Sequence, residues 1–71
     1  MNRYQEAVKN YVERLNGMIL KGKKIVDGDK EITGLELFMT QKSMKVHIKY
    51  SDGTEMVLPW HKFMEKRLRI L

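Results

Sequence analysis

The stretch MKVHIKYSDGTEMVLPW, residues 44–60, decides the fold. Met44, Val46, Ile48 and Tyr50 alternate strictly with Lys45, His47 and Lys49, the period of a strand with one face in a core and the other in water. The segment that follows must return antiparallel, and the hydrophobic pattern selects its turn. A two-residue Asp52-Gly53 loop sets Ile48 opposite Val57 and Lys49 opposite Met56, which buries a charge or exposes Met56 and Leu58. A three-residue loop, Ser51-Asp52-Gly53 with Gly53 left-handed, pairs Ile48 with Met56, Val46 with Leu58 and Lys49 with Glu55, so every pair is satisfied. That register also predicts a Lys49–Glu55 ion pair on the open face.

Working outward toward the C-terminus, Pro59 lacks the N–H a ladder needs, and its fixed φ suits the first turn of a helix. Trp60, Phe63, Met64, Leu68 and Leu71 then share one helical face, which makes Trp60 the first core residue of a terminal helix rather than a ligand platform. The cluster Pro59-Trp60-His61 holds the only Pro and the only Trp of the chain, and it reads as a joint between strand and helix. His61 falls at the edge of the stripe, half exposed. Arg67 falls inside the stripe, which leaves three readings: the helix has frayed, the Arg67 stem lies along the core with its head in water, or its guanidinium meets a carboxylate across an interface.

Working outward the other way, residues 31–40, EITGLELFMT, contain two alternating sets, Leu35/Leu37/Met39 and Ile32/Gly34/Glu36/Phe38, and a bulge near Gly34 lets Ile32 and Leu35 share one face. DGDK, residues 27–30, reads as a turn, and residues 18–26 as a short lysine-rich edge strand interrupted near Gly22. Residues 3–16 place Tyr4, Ala7, Val8, Tyr11, Val12 and Leu15 at the spacing of a helix with one buried stripe. Asn2 with Gln5 three positions on forms a capping box, and Gly17 is the expected left-handed closing residue.

With 71 residues the chain makes one domain, residues 1–71, near the size at which a single core supplies only about 3–5 kcal/mol. It contains no Cys and two His, so disulfides and thiolate metal sites are excluded, and oligomerisation is the remaining way to add stability. Asp27, Asp29 and Glu31 alternate as in a calcium loop, but Ile32 and Phe38 stand where that loop requires Gly and Glu. Ser43 and Ser51 lack the glycine-flanked setting of a nucleophile, and no Gly-rich phosphate loop precedes a helix. These features predict no enzyme, no cofactor, no metal and no small-molecule substrate. The longest apolar run, MVLPW, is far too short for a membrane helix, so the expectation is a soluble cytoplasmic protein without a membrane partner.

The expected fold is α+β: an N-terminal helix, an antiparallel meander of three to four strands and a C-terminal helix, both helices on one sheet face. In general style, short, lysine-rich and free of Cys, the chain resembles small proteins of phage and prophage genomes in low-GC bacteria, a likeness that assigns no residue a role. Two functions from different classes follow from the residues. The first is a non-enzymatic interaction module acting as a homodimer through the final helix, with Ile70 and Leu71 as apolar contacts and Arg67 reaching Glu65 of the mate. The second is a nucleic-acid accessory protein. The net charge of +5 attracts polyanions, and Lys42, Lys45, His47, Lys49, Lys62, Lys66 and Arg69 supply a basic surface on the open sheet face and last helix, with Phe38 available to stack a base.

Overall fold

The computed structural model describes residues 2–71. Its elements are α1 (Arg3–Leu20), β1 (Ile25–Asp27), β2 (Lys30–Met39), β3 (Met44–Tyr50), β4 (Glu55–Pro59), α2 (Trp60–Met64) and β5 (Arg69–Ile70). The strands form one antiparallel sheet in the order β4-β3-β2-β1-β5, so the class is α+β, with one strand more than the sequence suggested.

The central hairpin has the register that the hydrophobic pattern selects: Ile48 faces Met56, Val46 faces Leu58 and Lys49 faces Glu55. Gly53 takes φ +88°, the left-handed value that closes a three-residue loop. Between β2 and β3 the register shifts between Ile32 and Gly34, and this bulge puts Ile32 and Leu35 on the same side. Leu35, Leu37 and Met39 therefore join Val46, Ile48 and Tyr50 on the helical side, while Phe38 and Glu36 turn to the open side. The β1–β2 turn narrows to Gly28-Asp29, with Asp27 already in the strand opposite Lys30.

Helix α1 starts with the capping box: Gln5 N–H donates to Asn2 Oδ1 at 2.8 Å and Asn2 N–H to Gln5 Oε1 at 3.3 Å. Its end differs from the expectation. Gly17 stays helical and the helix runs to Leu20, because Met18 and Ile19 continue the stripe of Val8, Val12 and Leu15 and pack against the same core. The closing residue is Gly22 at φ +89°. Lys23 N–H bonds Met18 C=O and Gly22 N–H bonds Ile19 C=O, the paired pattern of a Schellman motif. Residues 18–24 thus finish a helix and turn, and only Ile25–Asp27 form the strand; β1 is no edge, because β5 pairs on its outer side.

The terminal helix is much shorter than the apolar spacing predicts. It ends at Met64, with Glu65 as its C-cap, and the chain then crosses to the far side of the sheet and adds β5 beside β1. Five residues cannot sustain a helix by local propensity. Trp60 and Phe63, both buried, hold it to the sheet beside α1, so both helices cover one face. Arg67 lies beyond the helix and is exposed, which accounts for a cation at an apparent stripe position.

Candidate functional site

The helices leave the other face of the sheet uncovered. Three cross-strand rows cross it: Phe38–Lys45–Pro59, Glu36–His47–Val57 and Gly34–Lys49–Glu55. Phe38 is 51% exposed and Val57 57% exposed, and together they flank His47. The Phe38 ring stacks on His47 with centroids 6.3 Å apart and planes 25° from parallel. His47 Nε2 in turn meets the Glu55 carboxylate. Lys49 pairs with Glu36 at 3.3 Å rather than with Glu55 directly across. The reason is local: Gly34, opposite Lys49 on β2, presents no side chain, so Lys49 leans to the diagonal Glu36 while Glu55 turns to His47. Among the described residues no carboxylate pairs with Lys45.

The basic residues named from the sequence do not form one patch. Lys45, His47 and Lys49 share the open face, but Glu36 and Glu55 alternate with them. Lys42 sits in the turn between β2 and β3, at one end of the sheet. Lys62, on α2, pairs with Glu65 at 3.7 Å. Lys66 is turned to the helical side, with Nζ 2.8 Å from Asp27 Oδ2, and Arg69 on β5 donates to Gly28 C=O at 3.3 Å. Glu55 was expected on this face from the hairpin register, but Glu36 was not, because the face it occupies depends on the bulge between Ile32 and Gly34.

The residues assigned to a dimer through the last helix are also redistributed. Glu65 caps α2 and Arg67 is exposed in the crossing segment, so the helical face meant to carry them with Ile70 and Leu71 does not exist. Ile70 stands opposite Ile25, and Leu71 exchanges backbone hydrogen bonds with Lys24, yet both side chains stay half or more exposed. His61 is exposed on the rim of a cleft of about 340 Å³ that Tyr4, Met44, Pro59 and Trp60 also line.

One polar cluster lay beyond any local motif. Tyr50 Oη donates to Asp27 Oδ2 at 2.7 Å, the oxygen that Lys66 also meets. Burial opposes the ionised form of Asp27, but the hydrogen bonds from Lys66 and Tyr50 outweigh it and hold the carboxyl below its ordinary pKa. Burial first, and the adjoining carboxylate second, push the Tyr50 phenol well above its ordinary value. These groups satisfy one another, and the cluster anchors the crossing segment to β1. No helix of the described residues is long and apolar enough to cross a membrane. No protein-family model, curated protein or solved structure matches the chain.

Proposed function

We propose that the protein is a non-enzymatic interaction module that works as a homodimer, and that its interface is the uncovered sheet face. The observation that carries this reading is the pair Phe38 and Val57, two large apolar side chains more than half exposed on β2 and β4, either side of β3, on a face that no helix covers. Scattered exposed apolar residues are ordinary, but these adjoin His47 in one continuous strip across β2, β3 and β4. Two such faces stack about 10 Å apart, as in a sandwich, with Phe38 and Val57 in contact either side of His47 and the Glu36, Lys49 and Glu55 charges beside them. A two-fold axis also brings Lys45, which no carboxylate pairs among the described residues, within reach of a carboxylate of the mate.

The magnitude is modest. Three strands at about 4.8 Å spacing and about seven residues at 3.3 Å give roughly 330 Å² of projected face per protomer, below the standard interface size, so the dimer is weak and exchanges readily. Nucleic-acid binding is the less favoured function, since Glu36 and Glu55 offset Lys49 and His47 on the face where a backbone would lie. Sedimentation from 10 µM to 1 mM tests the reading at low and high salt. A dimer that persists at high salt and is lost in Val57→Glu, with the fold intact, is expected; a monomeric mass throughout removes it. Association with a polyanion that disappears as salt rises would favour the basic surface instead.

A further inference from the structure

Strand β2 is ten residues long, but its neighbour β1 covers only Lys30–Ile32. From Gly34 to Met39 the side of β2 that faces away from β3 has no strand beside it among the described residues. The hydrogen-bond phase shows which groups are left there. Tyr50 N–H bonds Thr54 C=O, which places the bonded pairs of β3 and β4 at Ile48 and Val46. Lys49, His47 and Lys45 consequently bond toward Gly34, Glu36 and Phe38, and the N–H and C=O of Leu35, Leu37 and Met39 point outward.

The ends of this bare edge are closed by side chains of α1. Asn16 acts on Leu35 as the peptide group of a neighbouring strand would: its Nδ2 donates to Leu35 C=O at 2.8 Å and its Oδ1 accepts from Leu35 N–H at 3.1 Å. At the other end Gln5 Nε2 donates to Thr40 C=O at 3.4 Å. Between these plugs, Leu37 and Met39 keep two outward donors and two outward acceptors. They form one wall of a groove of about 290 Å³ whose other wall is the Lys9, Val12 and Glu13 side of α1. The groove continues past Met39 into a second cleft beside Gln5 and Thr40.

We infer that this groove accepts an extended peptide segment of another protein as an added strand, hydrogen-bonded to Leu37 and Met39. A second copy of this chain does not fit. Helix α1 lies along β2, so joining two β2 edges brings two such helices to about one strand spacing, roughly 4.8 Å, where helices need about 8–10 Å. The rim carries one charge of each sign, Lys9 and Glu13, 4.0 Å apart, so it selects no charged partner. The floor of Val12, Leu37 and Met39 matches a segment of about five residues with apolar, uncharged side chains at alternate positions. Main-chain bonds supply the recognition, with side-chain preference secondary. This surface is the edge of the sheet and is separate from the face proposed for the dimer.

The probe is a panel of four blocked heptapeptides alternating Thr with Val, Leu, Phe or Met. Amide exchange is read residue by residue by NMR on the full chain. In the free protein the Glu36 and Phe38 amides should be protected and those of Leu37 and Met39 should not. Saturating peptide should slow exchange at Leu37 and Met39 at least tenfold. Probes N-methylated at odd or at even positions divide the two edges of the peptide: one frame should retain this protection and the other lose it. Met39→Pro, which removes an outward donor without touching the β3 ladder, should weaken binding at least tenfold. No protection with any member of the panel at 2 mM overturns the inference, as does equal protection by both methylated frames. Protection that grows with protein concentration in the absence of peptide overturns the choice of occupant in favour of a second copy.

Discussion

Trp60 joins the two helices. Its ring meets Tyr11 edge-on at 5.9 Å and stacks on Phe63 at 5.5 Å, and the residue is only 8% exposed. Trp60→Ala should therefore behave as a core deletion, costing about 3–5 kcal/mol, comparable to the whole stability of a domain this size. Urea unfolding measures it, and native fluorescence at the fully solvated wavelength would contradict the packing. The Asp27–Tyr50–Lys66 cluster makes its own prediction at this scale. The Tyr50 pKa is raised on folding, so its contribution is complete below the ordinary phenol value of 10.0 and is lost as pH rises above it. Asp27 is depressed, so its contribution is present above the ordinary value of 3.8 and is lost as pH falls below it. Tyr50→Phe should cost about 1 kcal/mol at neutral pH and flatten the alkaline limb of the stability profile above pH 10. A wild-type limb matching that of the variant would refute the assignment. The residues of this cluster are 16 to 39 positions apart, which is why no local pattern announced it.

The elements legible in the sequence are those whose signal is local. Hairpin β3–β4 combines strict alternation with a glycine where a left-handed residue is required. A methyl group added at Gly53 meets nothing within 4 Å, so Gly53→Ala should cost about 1 kcal/mol or more through backbone strain alone, read by thermal or urea unfolding. A neutral substitution would assign the turn to another type. Gly22→Ala is the parallel case at the end of α1, with open space and φ +89°, and a similar cost is expected. The sequence pointed to Gly17 as the terminator because it is the first glycine after the stripe. Both positions look alike locally; the burial of Met18 and Ile19 decides between them, and that is a tertiary fact. The C-terminal segment misled for the same reason. Leu68 and Leu71 keep helical spacing with Trp60, but pairing with β1, some 45 positions away, and the Lys66–Asp27 contact draw the chain into an extended path. On the open face, Lys45, His47, Lys49 and Glu55 were legible from alternation and hairpin register, while Glu36 waited on a bulge that shifts the phase of β2.

At the scale of the whole molecule, the sheet has helices on one side only, and the domain is small enough that covering the other side changes its stability measurably. If two copies stack through Phe38 and Val57, folding and association are linked, and the apparent stability depends on concentration. Each tenfold rise contributes about 1.4 kcal/mol per dimer, or roughly 0.7 kcal/mol per protomer, once the protein is mostly dimeric. For a domain of this length that corresponds to roughly 3–6 °C in Tm per decade of concentration. Val57→Glu places a carboxylate at a position already 57% exposed in the protomer, so it should leave the monomer fold intact and abolish the concentration dependence. High salt should preserve the dependence in the wild type, because apolar burial holds the contact and the ion pairs surround it. Scanning calorimetry at 20 µM, 200 µM and 1 mM separates the cases. A wild-type Tm that stays constant across this range, equal to that of Val57→Glu, would mean that the face is left to water and that the module functions as a monomer.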